Sequence, residues 1–151
     1  MSKKHRARAV LLTPGNTLLL MGRARPGIAP YSVVVGGGVE EGDADPKAAA
    51  VREVYEEVHG KAEIVRHLWA MEDDQERQEF YLATVEEWSF DDKSGQEFTQ
   101  EGRGEYTLLE LPLTVAAIDA ANLMPPEFAA VLRGLVERDE LVPALQDAEQ
   151  G

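Results

Sequence analysis

The residues with the most chemical promise lie in one stretch, Gly36 to Gly60, which reads GGGVEEGDADPKAAAVREVYEEVHG. Glu53, Glu56 and Glu57 follow Arg52 at helical spacing, and Gly36, Gly37 and Gly38 stand directly upstream. Carboxylates one turn apart on a helix repel one another, so the cluster calls for a cation. Arg52 can pair with one of the three. A hard divalent ion held by oxygen ligands would satisfy all of them, and Mg²⁺ is the usual choice where phosphates share the coordination shell. A solvated acidic helix face would carry the same glutamates. The glycine run favours the metal, because it lets backbone groups approach an ion or a phosphate closely.

A helix must present these side chains. Asp45 suits the N-cap, Pro46 the first helical position, Ala48 to Ala50 favour helix, and Gly60 offers a stop. At about 100° per residue, Val51, Val54 and Val58 share one face with Tyr55 beside them, and the glutamates cluster opposite. Tyr31 to Val35 is a β-branched run feeding the glycines. The glycines are therefore expected in a loop between a strand end and a helix start, a common place to bind phosphate.

From Gly38 to about Gly60, the order of glycine, acidic turn, Arg-Glu, apolar residue, any residue and Glu-Glu resembles the Nudix box of the Nudix (MutT-like) hydrolases. The match has departures. The family's glutamate in the turn falls on Ala44, flanked by Asp43 and Asp45; counting from Gly37 instead puts Asp43 there, with one extra residue before Arg52. His59 stands where glycine is usual, with Gly60 one place later, and Val35 stands where proline often precedes the glycines. The resemblance implies an α/β/α sandwich with a mixed sheet, formed by a single domain over residues 1–151. It also implies Mg²⁺, with Mn²⁺ as a substitute, held by Glu53, Glu56 and Glu57 and by backbone near Gly37, and cleavage of a phosphoanhydride bond in a nucleoside diphosphate linked to another moiety. In such a site Arg52 orients a glutamate, and the general base is Glu56, Glu57, Glu97 or Glu101, with Glu101 preferred among the loop residues. The departures leave open an alternative, a catalytically weakened nucleotide-binding or sensor domain.

The rest of the chain sets bounds. Its 151 residues, 44% of them hydrophobic, suffice for one domain with a core. The absence of cysteine excludes disulfides and thiolate chemistry and fits a reducing cytoplasm, the expected location. A formal charge of −13 opposes binding to nucleic-acid polymers but is compatible with a small nucleotide that brings its own Mg²⁺. No apolar run approaches the roughly 18 residues of a membrane span, and the basic start MSKKHRAR lacks the apolar core of a signal peptide.

Strands are expected at Ala7–Thr13, Leu18–Arg23, Tyr31–Val35, Ala62–Met71, Glu79–Glu86 and Tyr106–Leu111, and further helices at Pro112–Ala121 and Pro125–Arg138. Arg23 and Arg25 fall in the loop after the second strand, facing substrate phosphate or solvent. Ser89 to Gly104 reads as a long polar loop of the kind that carries function. Residues 1–5 and 144–151 are expected to be flexible, and the chain to be a monomer or homodimer.

Overall fold

The computed structural model describes residues 4–89 and 105–141. In chain order the elements are β1 (Lys4–Leu12), β2 (Thr17–Arg25), β3 (Ile28–Val33), β4 (Val35–Gly38), α1 (Pro46–Val58), β5 (Glu63–Glu72), β6 (Glu76–Thr84), β7 (Glu105–Pro112), α2 (Val115–Ala120), β8 (Leu123–Met124) and α3 (Pro126–Glu137). All eight strands join one mixed sheet in the order β5-β6-β1-β2-β3-β8, with β4 added on β1 and β7 on β2. Helices cover both faces, giving the α/β/α layering the sequence implied.

The sheet is curled because β1 and β2 stay together only at the hairpin, where Leu11 faces Leu19 and Leu12 faces Leu18. Beyond that they part, and the segment after β2 fills the gap by changing partner. Its first half, β3, runs antiparallel to β2, with Met21 opposite Val33. After Val34 the chain crosses over, and β4 runs antiparallel to β1, with Arg6 opposite Gly38 and Ala9 opposite Val35. The single strand expected at Tyr31–Val35 is thus two strands on two partners. The glycines, expected in a loop, are β4 itself.

β1 carries the alternation that organises the two cores. Ala7, Ala9 and Leu11 point to one side, where they pack under Ala49, Ala50, Val54 and Val58 of α1. Val10 and Leu12 point to the other, toward Ile118 of α2 and Phe128 and Leu132 of α3. Alanines at 7 and 9 matter because a helix settles close to a sheet only where the intervening side chains are small. On the far side the rings of Phe80 and Phe128 stack at 4.2 Å, and Trp69 leans on both.

Several local differences from the sequence reading have simple causes. Lys4 and His5, expected in a flexible arm, begin β1 and pair in parallel with Glu76 and Arg77 of β6. Pro112 ends β7 opposite Thr17 instead of opening a helix, so α2 starts only after Thr114, whose hydroxyl accepts from the Ala117 N–H at 3.1 Å. The two-residue strand β8, parallel to β3, is too short to leave a periodicity in sequence. The buried face of α1 is set by Ala49, Ala50, Val54 and Val58. Val51 is therefore only half-buried, and Tyr55 is 64% exposed with its ring edge-on to His59. The helix stops at His59 in the left-handed region (φ 54°), one residue before the expected Gly60.

Candidate active site

Helix α1 begins as its sequence demands: the Asp45 carboxylate accepts from the Ala48 N–H at 2.8 Å and Pro46 occupies the first turn. From this fixed start, one side of the helix lies along β4 and lowers its glutamates onto the glycines. Glu57 accepts a hydrogen bond from the Gly36 N–H at 3.0 Å. The Glu53 carboxylate rests against Gly37, where an added Cβ would lie 2.5 Å from its Oε2.

Gly36 answers to a different constraint. Its φ of 154° and the position of an added Cβ, 2.3 Å from the Ala7 carbonyl oxygen and 2.7 Å from Arg8 Cα, leave no room for a side chain. Gly36→Ala is expected to cost roughly 3 kcal/mol or more, since backbone cannot yield as a side chain can. Equilibrium unfolding in denaturant measures this directly.

Arg52 organises the remaining acids. Its Nε and Nη2 donate to the two oxygens of Asp43, each at 3.0 Å, Nη2 also donates to the Gly38 carbonyl at 2.8 Å, and Nη1 reaches Glu53 and Glu56 at 3.2 Å. Asp43 in turn accepts from the Glu40 N–H at 2.8 Å, which closes the acidic turn on itself. The acid of this turn that binds Arg52 through both oxygens is therefore Asp43, as the count from Gly37 has it, with Glu40 a longer ion pair at 3.7 Å, and Ala44 has no part in it. These bonds hold the Asp43 carboxyl below its ordinary range.

The glutamates are not equivalent. Glu57 is pushed up to about 7, first by burial and next by the charge of Glu53, against the pull of the Gly36 N–H and of Arg8. Glu53 is also raised, chiefly by burial, with Arg52 working the other way. Glu56 is separate: its side chain is 54% exposed and its carboxylate is turned to Arg52. The sequence grouped all three. The structure brings together Glu53 and Glu57 and attaches Glu56 to them only through Arg52. Among the described residues no three acidic or histidine side chains converge as a metal cage. A pair suffices for Mg²⁺, which keeps several waters and commonly takes one or two carboxylates together with substrate phosphates. Two partly buried carboxylates, both held above their ordinary range, fit such an ion well.

Arg23 and Arg25 lie on β2, not in a loop. The Arg23 guanidinium sits between the rings of Tyr31 and Tyr106, 5.7 and 4.5 Å from their centroids, and its buried Nε has no hydrogen-bond partner among the described residues. His59 caps α1 and touches Tyr55. Glu97 and Glu101, the candidate bases from the polar segment, lie outside the described residues, as does the expected flexible tail.

One residue of the site escaped the sequence reading. Arg8 of β1 lies on the face of the strand away from α1. Its Nε donates to Gln78 at 3.2 Å, and its Nη1 donates to the carbonyls of Val34 and Gly36 at 3.2 and 3.4 Å. Gly36 is thus gripped from both faces of the sheet, by Glu57 through its N–H and by Arg8 through its C=O. A cavity of about 290 Å³ opens beside Arg8, walled by Val33, Val34, Phe80, Met124 and Pro125. The signal was present: Arg8, flanked by alanines ahead of an apolar run in β1, puts charge on a face that should be covered.

Comparison with known proteins places this arrangement. The NUDIX domain model matches residues 3–149. The fold is shared with a Nudix hydrolase from Nitrosomonas europaea (TM-score 0.59, 16% identity, covering 99% of this chain and 90% of that one). It is also shared with the MutT protein of Methanosarcina mazei Go1 (0.59, 15%, 93% and 98%) and with the E. coli ORF135 protein (0.59, 19%, 98% and 94%). No curated protein matches at the level of sequence. The chain belongs to the Nudix hydrolase family.

Proposed function

We propose that the protein is an Mg²⁺-dependent pyrophosphohydrolase acting on a nucleoside diphosphate linked to another moiety. The observation that carries this reading is the pair Glu53 and Glu57, drawn against Gly37 and Gly36 and each held above the ordinary carboxylate range. Glu53 and Glu57 would hold a divalent cation, which would supply charge neutralisation on the diphosphate oxygens and activation of a water. The chain's own groups do the rest. Arg52 fixes Glu53 and Glu56 while its other nitrogens are held by Asp43 and Gly38, so it positions and does not touch substrate. Arg23, whose Nε has no hydrogen-bond partner among the described residues and whose plane is held by two aromatic rings, is the cation for an outer phosphate oxygen. The water's proton passes to a carboxylate outside the metal pair. Glu56 is that group among the described residues, and Glu101 is the candidate from outside them.

Turnover of nucleoside triphosphates, nucleotide sugars or dinucleoside polyphosphates with Mg²⁺ or Mn²⁺ tests the reading. Folded protein that cleaves none of them sinks it, and binding without cleavage would select the weakened sensor domain. Between the two bases, the variant that loses at least tenfold more kcat identifies the group, comparing Glu56→Gln with Glu101→Gln.

A further inference from the structure

The chain changes partner at Val34, between β3 and β4, and side chains hold the backbone there as well as strands do. Arg8 Nη1 donates from one atom to the carbonyls of Val34 and Gly36, at 3.2 and 3.4 Å. The peptide between those two carbonyls, joining Val35 to Gly36, is held from the side of α1, where the Gly36 N–H donates to Glu57 at 3.0 Å. Three successive peptide groups are therefore fixed alternately, the outer two by Arg8 and the middle one by Glu57. Arg8 is steadied in turn. Its Nε donates to Gln78 at 3.2 Å, and an added Cβ on Gly36 would lie 3.0 Å from Arg8 Cδ, so its stem runs close beside the glycine it braces.

This hold bears on both carboxylates of the pair. Glu57 is fastened to Gly36 directly, and Glu53 rests on Gly37, whose nitrogen belongs to the peptide that Arg8 grips. Charge acts across the sheet as well: burial lowers the Arg8 guanidinium, Arg6 adds to that, and Glu57, Glu76 and Glu53 work against it. We propose that Arg8 is a positioning residue of the ion site, whose Nη1 sets the line of the backbone from Val34 to Gly37 and through it the spacing of Glu53 and Glu57. The assignment rests on the reading of that pair as the carboxylates that hold the ion.

Two other roles for Arg8 would leave different marks. Charge alone predicts that removing Arg8 tightens the ion, because a nearby cation opposes a second one. A lost pull on Glu57, whose carboxyl stands at about 7, predicts a weakening that disappears as the pH rises. Loss of an orienting partner instead costs about 10–100-fold in ion affinity whatever the pH.

Mg²⁺ affinity of the full chain, without nucleotide, is read from the rise of Tm with Mg²⁺ concentration at pH 8 and pH 9. Arg8→Met should weaken it about tenfold or more, and equally at both pH values. Arg8→Lys should stay closer to the parent than to Arg8→Met, since an ammonium also donates to two carbonyls from one atom. If Arg8→Met does not fold, Arg8→Gln replaces it with the same expectation. Unchanged or tighter Mg²⁺ binding, a deficit present at pH 8 and gone at pH 9, or a lysine variant no better than the neutral one would overturn the assignment. A parent that responds to Mg²⁺ while the variants match it removes the role of Arg8 and leaves the hydrolase reading standing. A parent whose Tm does not move with Mg²⁺ up to about 10 mM removes the ion pair itself, and the role of Arg8 with it.

Discussion

Glu57→Gln should yield a protein that is more stable than its parent at pH 8, no more stable at pH 4, and slower in hydrolysis by about 10²–10³-fold. The stability half follows from linkage. Glu57 has its carboxyl raised from the ordinary 4.5 to about 7 by burial and by Glu53. Below pH 4.5 the group is neutral in both the folded and unfolded chain and contributes nothing. Between 4.5 and 7 the unfolded chain releases its proton while the native one keeps it, so stability falls as pH rises, and above 7 the native state carries the full penalty. That penalty is roughly 3 kcal/mol at its upper limit. Glutamine has no charge to confine and can still accept from Gly36. On the proposed reading, the kinetic half follows from the loss of one of the two carboxylates assigned to hold the ion beside a diphosphate, where such electrostatic contributions are large. Thermal melts across pH 4–9 without metal, set beside initial rates with Mg²⁺, test both halves. A melting profile identical to that of the parent would show that Glu57 ionises freely and that the burial argument is wrong.

Arg52→Lys is expected to be nearly as damaging to activity, although it keeps the charge. The guanidinium makes two parallel bonds to Asp43 and a third to the Gly38 carbonyl while its remaining nitrogen steadies Glu53 and Glu56. An ammonium is a point donor and cannot span that fork. Loss of a group that orients ion-binding carboxylates typically costs about 10–100-fold in affinity or activity. The decisive readout is the Mg²⁺ concentration at half-maximal rate, which should rise, together with a smaller Mg²⁺-induced shift in Tm. If kcat fell with an unchanged Mg²⁺ dependence, Arg52 would be acting on substrate and not through Glu53.

The helix was legible in the sequence because its determinants are local. The Asp45 cap, Pro46 and the alanines act within one turn of themselves, and the end was misjudged only by the step from Gly60 to His59. The sheet was less legible because its defining event, the change of partner at Val34, depends on where β1 and β2 separate, which no spacing near Val34 records. The same limit applies to the site. Glu53, Glu56, Glu57 and Arg52 share one helix and announce themselves together. Arg8, Gln78 and Met124 come from three separate elements, and only the register of β1 with β4 and β6 brings Arg8 beside Gly36 and within reach of Gln78. The glycines were expected to let backbone approach an ion or a phosphate; in the structure the group that approaches Gly37 is Glu53 and the group that approaches Gly36 is the backbone of β1.

The alternation along β1 separates two kinds of change open to this protein over generations. Odd positions such as Ala7 and Ala9 set the distance between α1 and the sheet, so a larger residue there would lift the glutamates from the glycines and stop the chemistry. Even positions face the other way, and Arg8 meets Gln78 across the strand boundary as one wall of the cavity. Substitutions at 78 or 124, or at 8 if Gly36 kept its brace, would therefore reshape that cavity and leave the seat of α1 on the glycines untouched.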